Sequence, residues 1–381
     1  MSEFQIPEPY QAYTDKYFLR TRQILEKEGI DPLVKLKVFA RKGDTFSGGR
    51  EAAHFLLKTL KSEDPESHLW VLPEGASYKS KEPLMVVEGR ASKVVDKETI
   101  YLGILSGALS RSRGIQPPTY EEVYGRAKEL VNILGEIPAT YFGARHYHWS
   151  LDEMISKAAL DAGFVSAATD IGAGTHGMKG VGTIPHFLVI AMASKYGVER
   201  ATEEAAKAFH NHIDKEVPRI VLVDTFNREI SDSIACADAL GKDLYAVRID
   251  TCGENIGEGS HYLLNERCVD PGYRIGKGVT LELTKNLRSA LDYHGHGGVG
   301  IFLSSGFGNP DKLKAFVEES KEWQKWERSP LCRPLFKGVG IGEITEAIFT
   351  TADIFEVDGK RLSKTGREVE EIDYSRMIKA F

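Results

Sequence analysis

The sequence predicts an α/β protein with an irregular parallel α/β barrel, closed or incompletely closed, and a second, β-rich α+β domain. From residue 119 onward, strand-like and helix-like segments alternate, which is typical of a parallel sheet covered by helices. Before residue 116, short β runs are interrupted by proline and glycine, as in antiparallel strands joined by turns. The last segment, 353–381, is β-like and basic, and we expect it to fold back onto the N-terminal part.

Length and composition limit the classes of protein that need to be considered. The chain has 381 residues, more than one compact core usually holds, so we expect a β-rich domain over 1–115, completed by 345–381, and a barrel over 116–344. The net charge of -6 argues against a nucleic-acid-binding surface as the main function. No apolar run is long enough for a membrane span, and the N-terminus does not resemble a signal peptide. Four scattered cysteines without a CxxC pair fit reduced thiols, so we expect a cytoplasmic protein.

Each half of the chain has a predicted order of elements. The N-terminal half is predicted to contain a helix ending before Gly29, a strand at 33–40, a helix at 51–60, short antiparallel strands within 68–90 and a helix at 100–112. The barrel half is predicted to contain helices at 121–134, 151–162, 186–196 and 202–214, with strands at 139–143, 164–169, 181–185, 298–303 and 335–339. Pro310 suits the first position of a further helix.

Residues 219–250 form the central unit of the predicted barrel. An apolar β run leads to Asp224, a segment with helical period follows, and a second β run carries Arg248 and ends on Asp250. In a parallel βαβ unit, ligands bind at the carboxyl ends of the strands. A guanidinium beside carboxylates suits a phosphorylated, polyhydroxylated ligand. The alternative is a structural ion pair between Arg248 and Asp250 that closes the barrel rim, and the sequence leaves both interpretations open.

Two glycine clusters follow late strands of the predicted barrel, at 304–310 (SSGFGNP) and 337–343 (KGVGIGE). Barrels often bind phosphate at the loops after their last strands, where backbone N–H groups and a helix N-terminus face the anion. Neither cluster is a P-loop, because no GxxxxGK[ST] motif occurs. The clusters predict a phosphate site, with simple tight turns as the alternative.

The histidines raise the question of a metal site. Four of them lie in or after the βα strands: His146, His148, His176 and His186. Their spacing matches no zinc or iron signature, and we assign no metal ligand. His186 starts a helix, where the N-terminal dipole would stabilise a phosphorylated imidazole. Arg145 follows an apolar strand and could hold a carboxylate ligand or form an ion pair with a helix of the barrel.

Taken together, these motifs resemble the nicotinate phosphoribosyltransferase family, which has the type II phosphoribosyltransferase fold. The motifs that carry the resemblance are Thr14-Asp15-Lys16-Tyr17, Pro73-Glu74-Gly75, Glu82-Pro83, Phe142-Gly143-Ala144-Arg145-His146, Gly182-Thr183-Ile184-Pro185-His186, Val223-Asp224-Thr225, Val247-Arg248-Ile249-Asp250-Thr251, Ser305-Gly306 and Glu356-Val357-Asp358-Gly359. The resemblance implies a β-rich sandwich domain built from both termini and an irregular barrel. It also implies a homodimer or higher homo-oligomer with the active site at the interface.

The implied reaction joins nicotinate to 5-phosphoribosyl-1-diphosphate, giving nicotinate mononucleotide and diphosphate, in NAD biosynthesis or salvage. ATP would be a co-substrate that phosphorylates a histidine, and Mg²⁺ would accompany the diphosphate. By the motifs, His186, Arg248 and Asp250 are expected to be catalytic: His186 as the phosphorylated histidine, the other two on the diphosphate and ribose side. The expected substrate-binding residues are Tyr17 (stacked on the pyridine ring from a neighbouring subunit), Arg145, His146, Thr183, Asp224, Ser305, Gly306, Gly338 and Gly340.

Several positions depart from the family pattern. Where the family usually has Pro, Ser and then Arg, residues 252–258 read CGENIGE, so basic charge is lost and acidic charge gained. Arg274 and Lys277 could restore it if the loop 257–279 covers the site. Tyr141 replaces an Asp often found before Phe-Gly, which favours an acid over an amide as substrate.

Three other functions remain as alternatives. Quinolinate phosphoribosyltransferase has the same fold but must bind a dicarboxylate, and the single Arg145-His146 pair argues against it. A non-catalytic paralogue that binds a nucleotide would explain the acidic residues at 254–258. An unrelated barrel isomerase or aldolase would need a catalytic Lys or Glu at a strand end, and we find no compelling one.

Overall fold

Two six-stranded sheets organise the chain. The structure, a computed structural model, describes residues 4–261, 270, 272–326, 333–368 and 371–381. Its strands are β1 (Leu33–Ala40), β2 (Asp44–Thr45), β3 (His68–Val71), β4 (Ser77–Tyr78), β5 (Pro83–Arg90), β6 (Ala139–Tyr141), β7 (Ser166–Ala167), β8 (Arg219–Leu222), β9 (Leu244–Ile249), β10 (Gly300–Leu303), β11 (Gly338–Ile341), β12 (Thr350–Val357), β13 (Lys360–Arg361) and β14 (Ile378–Lys379). Its helices are α1 (Lys16–Glu28), α2 (Gly49–Glu63), α3 (Ala91–Val94), α4 (Glu98–Ser112), α5 (Tyr120–Leu134), α6 (Asp152–Ala162), α7 (Asp170–Gly174), α8 (His186–Tyr196), α9 (Ala201–His212), α10 (Glu229–Leu240), α11 (Leu281–Tyr293) and α12 (Pro310–Trp326).

The antiparallel sheet is built from both ends of the chain. Its order is β13-β12-β1-β5-β3-β14, so β1 lies between β5 and the C-terminal strand β12. Strand β1 begins with the alternating burial that its sequence predicts and becomes buried on both faces further along. The expected return of the C-terminal segment to the N-terminal domain is confirmed. The domain boundaries at 115 and 344 stay a prediction.

The second sheet is entirely parallel, in the order β7-β6-β11-β10-β9-β8. Its end strands β7 and β8 are not paired with each other in the described part of the chain, so the barrel is incomplete. The predicted α/β class with an irregular, open barrel is thereby confirmed. The carboxyl ends of all six strands lie at the same edge of the sheet. The loops at this edge contain most of the polar residues that the sequence analysis assigned to the site.

Two predicted strands differ in the structure. Residues 181–185 form no strand, because the chain passes too close to the start of α1: a Cβ on Gly182 would lie 2.7 Å from the backbone nitrogen of Tyr17. The last strand of the parallel sheet begins at Gly338, three residues later than expected, and includes Gly340. There the aromatic rings of Phe302 and Phe142 occupy the space that side chains at 338 and 340 would need.

Helix α4 links the antiparallel sheet to a loop of the barrel. Nearly all of its residues are buried, and it packs against α2 and β12. Its side chains also reach the barrel, since Ser106 donates a hydrogen bond to the carbonyl of Arg145 (3.0 Å). In the described part of the chain, no helix combines the length and apolar character that crossing a membrane requires.

The contact between the loops after β10 and β11 yields a stability prediction. A Cβ on Gly308 would overlap the carbonyl oxygen of Glu343, so Gly308→Ala must push the two loops apart. We expect a loss of about 1–3 kcal/mol in the free energy of unfolding. The control is Gly125→Ala in α5, where the Cβ meets open space and helix propensity gains up to about 1 kcal/mol. Urea unfolding of the wild type and both variants measures these changes. A Gly308→Ala midpoint equal to that of the wild type would show that the loops adjust at no cost.

Candidate active site

A cavity of about 390 Å³ lies between the carboxyl edge of the parallel sheet and strands β1 and β12. Nine of the predicted site residues line it: Tyr17, Arg145, His146, His186, Arg248, Asp250, Ser305, Gly306 and Gly340. Asp224 is buried directly behind it, whereas Thr183 and Gly338 lie away from the lining. A larger, open cleft shares Gly253, Ser305 and Gly306 with this cavity, and part of the loop 257–279 lines it. Residues 262–269 and 271 of that loop lie outside the described residues.

One end of the cavity is aromatic and contains a paired guanidinium. The Arg145 guanidinium donates to the Asp15 carboxylate (3.1 Å) and to the Tyr17 hydroxyl, and it lies 5.8 Å from the centre of the Tyr17 ring. Tyr17 is in the first turn of α1, which Asp15 precedes as N-cap. Within this chain, Tyr17 therefore lines the same cavity as Arg145, and its expected contribution from a neighbouring subunit stays a prediction.

Two buried carboxyl groups face the same end. Burial raises the pKa of Asp15, although Arg145 and the Thr99 hydroxyl oppose the shift. Burial also raises the pKa of Glu98, which lines the cavity, to about 8. The Arg145 guanidinium is therefore already paired with a carboxylate before a ligand binds. The arrangement suits a flat ligand with a single carboxylate better than a dicarboxylate.

His146 is neutral. Burial and the adjacent Arg145 lower its pKa to about 3. Its ring stacks on Phe349, with 4.5 Å between the ring centres. The ring thus contributes a flat wall and no positive charge.

The opposite end of the cavity is a cluster around His186. Its Nδ1 lies 3.0 Å from the Thr225 hydroxyl, and its Nε2 lies 2.8 Å from the Lys364 ammonium. Two carboxylates face the same nitrogen, Asp250 at 3.4 Å and Asp224 at 3.6 Å. Burial and Lys364 lower the pKa of His186. His186 is therefore a neutral imidazole at physiological pH.

Arg248 and Asp250 are linked through a hydroxyl. Arg248 donates to Ser304 Oγ (3.1 Å) and to the carbonyl of Ile184 (3.4 Å), and Ser304 donates to Asp250 (2.7 Å). A direct ion pair between Arg248 and Asp250, the structural alternative, is not found in the described part of the chain. Burial alone would raise the pKa of Asp250, but His186, Arg248 and Lys364 hold it well below its ordinary value. The guanidinium therefore keeps donors for a ligand in the cavity.

The loop after β10 has the features of an anion site. Ser305 and Gly306 both have positive φ (72° and 79°), and α12 begins four residues later. Lys312 in the first turn of α12 donates to the carbonyl of Ser305 (2.9 Å), and burial lowers its pKa to about 8. Gly338 and Gly340 lie in β11 instead, so the structure corrects their expected place in a phosphate loop: they make room for aromatic rings.

Cations from the antiparallel sheet were missed by the sequence reasoning. Arg41 follows β1, while Lys364 and Arg367 follow β13, and all three line the cavity. The only signal in the sequence was the basic character of the last segment. Arg274, expected to restore charge near the diphosphate, pairs with Asp270 (3.4 Å) instead.

The acidic stretch 254–258 carries no free charge. Glu254 is surrounded by Lys81 (3.0 Å), Arg367 (3.4 Å) and Arg41 (3.7 Å), and its pKa is lowered to about 2: these cations and a hydrogen bond from Lys81 outweigh burial. Glu258 caps α10 by accepting from the backbone N–H of Ile230 (2.8 Å). The prediction that this stretch adds unpaired acidic charge near the diphosphate is therefore wrong.

Other sequence-based expectations are settled by burial. Tyr141 points into the protein interior and does not line the cavity, so it offers no selection between an acid and an amide. Cys252 is buried and Cys236 is a free thiol in α10, whereas Cys268 and Cys332 lie outside the described residues. No cluster of three or more metal-ligating side chains occurs in the described part of the chain.

Comparisons with known proteins support the resemblance. The family model described as quinolinate phosphoribosyl transferase, N-terminal domain, matches residues 15–109. A Saccharomyces cerevisiae protein assigned as a nicotinate phosphoribosyltransferase is 16% identical, with 95% of this chain and 94% of that chain covered and a TM-score of 0.65. Nicotinate phosphoribosyltransferase from Vibrio cholerae is 13% identical, with 93% of this chain and 88% of that chain covered and a TM-score of 0.63. Nicotinate-nucleotide pyrophosphorylase from Pyrococcus furiosus is 27% identical, with 96% of this chain and 81% of that chain covered and a TM-score of 0.46. At the level of fold the resemblance is confirmed: the chain has the type II phosphoribosyltransferase fold.

The raised pKa of Glu98 predicts how stability depends on pH. Its ordinary pKa is 4.5 and its folded pKa is about 8, so the folded protein holds a proton that the unfolded chain loses. Stability must then fall as the pH rises through this window. We expect Glu98→Gln to lose less stability across the window than the wild type, by at least about 1.4 kcal/mol, the value of one pKa unit.

Urea unfolding at a series of pH values measures this difference. Glu136→Gln is the matched control, because Glu136 is exposed at the surface. Parallel stability curves for wild type and Glu98→Gln would show that Glu98 is ionised in the folded protein.

Proposed function

We propose that the protein is a nicotinate phosphoribosyltransferase that forms nicotinate mononucleotide and diphosphate from nicotinate and 5-phosphoribosyl-1-diphosphate in NAD biosynthesis or salvage. The observation that carries the proposal is that the two ends of one cavity differ in their side chains. Tyr17 and Arg145 at one end suit a flat ring with a carboxylate. Arg248 and the Ser305–Gly306 loop at the other end suit a phosphorylated sugar.

This reaction requires correct positioning of the two substrates more than a strong nucleophile from the protein. The pyridine nitrogen attacks the anomeric carbon, the bond from that carbon to the diphosphate oxygen breaks, and its electron pair leaves with the diphosphate. The transition state has oxocarbenium character, which nearby carboxylates such as Asp250 stabilise. Arg248 lies where it can bind the departing polyanion. Holding both reactants in one cavity lowers the barrier further, because the entropy cost of bringing them together is met on binding.

Mg²⁺ fits this reaction as part of the substrate. The carboxylates at the cavity are already engaged: Asp224 with Lys364, and Asp250 with Ser304 and His186. In the described part of the chain, no group of three ligating side chains could hold a resident ion. We therefore propose that Mg²⁺ enters as a complex with the diphosphate of the donor.

Quinolinate is the second candidate acceptor, because the N-terminal family model carries that name. It has two carboxylates, and a pocket for it needs several cations around the ring. Arg145 at the ring end already pairs with Asp15, and the next cation of the lining, Arg41, is engaged by Glu254. The charge of this end supports nicotinate.

The proposal of ATP coupling rests on the protonation state of His186. A neutral imidazole with one nitrogen fixed by Thr225 and the other turned toward the cavity has the form of a phosphoryl acceptor. Assembly as a homodimer or higher homo-oligomer and a cytoplasmic location remain predictions.

Diphosphate release tests the proposal. The purified protein is given donor and Mg²⁺ with nicotinate, nicotinamide or quinolinate, each with and without ATP. Release with nicotinate, accelerated by ATP, supports both the reaction and the coupling. Turnover of quinolinate alone would replace the acceptor, and binding of nicotinate mononucleotide without any release would indicate a non-catalytic paralogue.

Removing the imidazole separates coupling from binding. We expect His186→Ala to reduce ATP stimulation much more than it weakens donor binding, because the phosphoryl acceptor is lost while Arg248 and the Ser305–Gly306 loop remain. Initial rates with and without ATP, and calorimetric donor binding, measure the two effects. The partly exposed His176, paired with Asp161 (3.1 Å), supplies the control His176→Ala. Full ATP-coupled turnover in His186→Ala would remove the histidine from this role.

Arg248 is expected to contribute to donor binding or turnover. Losing a charge-assisted phosphate contact costs about 1.5–3 kcal/mol, so Arg248→Ala should lower kcat/KM for the donor about tenfold or more. Steady-state kinetics with nicotinate at saturation measures this effect. Arg200→Ala, at an exposed arginine on α9's N-terminal side, is the control. Wild-type kinetics in Arg248→Ala would take Arg248 out of the site.

A further inference from the structure

The segment after β13 crosses from the antiparallel sheet to the barrel. The backbone N–H of Thr365 donates to the carbonyl of Thr225 (3.0 Å), and Asn255 donates to the carbonyl of Thr365 (2.5 Å). A Cβ on Gly366 would overlap the Asn255 side chain. These contacts hold the segment directly over the carboxyl ends of β8 and β9.

This crossing delivers Lys364 to the centre of the His186 cluster. Its ammonium lies 2.5 Å from Asp224 Oδ2, 2.8 Å from His186 Nε2 and 3.3 Å from the carbonyl oxygen of Asp250. Lys364 is only 5% exposed. Burial alone would lower its pKa, but Asp224 and Asp250 raise the pKa above its ordinary value. Lys364 is therefore a charged donor at neutral pH.

A charged ammonium fixes the protonation of the imidazole. An ammonium has donors and no acceptor, so His186 Nε2 must accept from Lys364. The single proton of the neutral ring then sits on Nδ1 and is donated to Thr225 Oγ1. The other groups that face the ring are Asp224 and Asp250, with Arg248 behind Asp250. Without Lys364, two carboxylates would face Nε2 and favour its protonation.

We propose that Lys364 is a positioning residue that keeps His186 neutral, with its proton on Nδ1 and its Nε2 lone pair held by the Lys364 ammonium until a phosphoryl group arrives. This inference rests on the proposed phosphorylation of His186. In that step the Nε2 lone pair attacks the γ-phosphorus of ATP, and the bond to the bridging oxygen breaks. The electron pair leaves with ADP, and the proton remains on Nδ1, hydrogen-bonded to Thr225 Oγ1. Lys364 releases Nε2 as the phosphoryl group arrives, and its charge then offsets the new phosphoryl oxygens.

The test compares Lys364→Met with Lys364→Arg and with the wild type. Nitrogen-15 NMR of the histidine side chains, with the His186 signal assigned through His186→Ala, follows protonation against pH. We expect Lys364→Met to raise the His186 titration midpoint by about one pH unit or more, while Lys364→Arg keeps it near the wild-type value. Lys35→Met is the control, since Lys35 pairs with Glu356 (2.8 Å) on the same sheet, outside the cavity lining.

Kinetics supply the second readout. The acid limb of the pH profile for ATP-stimulated turnover should move upward with the titration midpoint in Lys364→Met. Turnover should then fall most on the acid side of the profile and recover as the pH rises above the new midpoint. A merely structural lysine would lower turnover equally at every pH, and that result would overturn the proposal. So would an unchanged His186 titration.

Two further arms keep the outcomes separate. Because Lys364→Met leaves Asp224 buried without a partner, the double variant Lys364→Met/Asp224→Asn restores charge balance if the single variant does not fold. Its His186 midpoint should still lie above the wild-type value, and a midpoint at or below that value would overturn the proposal. Wild-type protein without ATP-stimulated turnover would overturn the proposed ATP coupling, whereas the NMR titration would still decide whether Lys364 sets the state of His186.

Discussion

The pairing of β12 with β1 is the interaction on which the candidate site depends. It runs along nearly the whole of both strands, from Val34 opposite Val357 to Ala40 opposite Thr350. This pairing anchors the C-terminal segment beside the parallel sheet, so residues 349–354 form one wall of the cavity and the segment after β13 crosses its mouth. Without it, the carboxyl edge of the incomplete barrel would be an open surface rather than an enclosed site.

The charges at this site are compensated in pairs before any ligand arrives. Arg145 faces Asp15, Lys364 faces Asp224, and Arg367 lies between Glu254 and Asp353. Buried ion pairs of this kind add little net stability, because desolvation offsets their attraction. Their value is placement: each cation is held in a fixed position that a polyanionic ligand can approach without a large reorganisation of the protein.

The two ends of the cavity differ in their charge, and this difference is the strongest physical argument for its ligands. At the ring end, Arg145 lies beside two acids whose pKa values are raised by burial. At the other end, Arg248 donates only to neutral oxygens. In the adjoining cleft, Lys312 is a buried ammonium that donates to the carbonyl of Ser305 rather than to a carboxylate. A monocarboxylate and a phosphorylated sugar match these two environments.

The sequence by itself determined the local parts of this protein. Alternating β and helical periods predicted the parallel sheet, and the strand ends placed Arg248 and Asp250 at one edge, because period and strand direction are local properties. The turn at Ser305–Gly306 was likewise readable from its glycine. Tertiary structure alone decided that Glu254 is neutralised, that Gly338 and Gly340 serve aromatic packing, and that Lys364 reaches His186. These contacts join residues far apart in the chain, 178 positions for Lys364 and His186, and no pattern of neighbouring residues records which distant side chain will fill a given space.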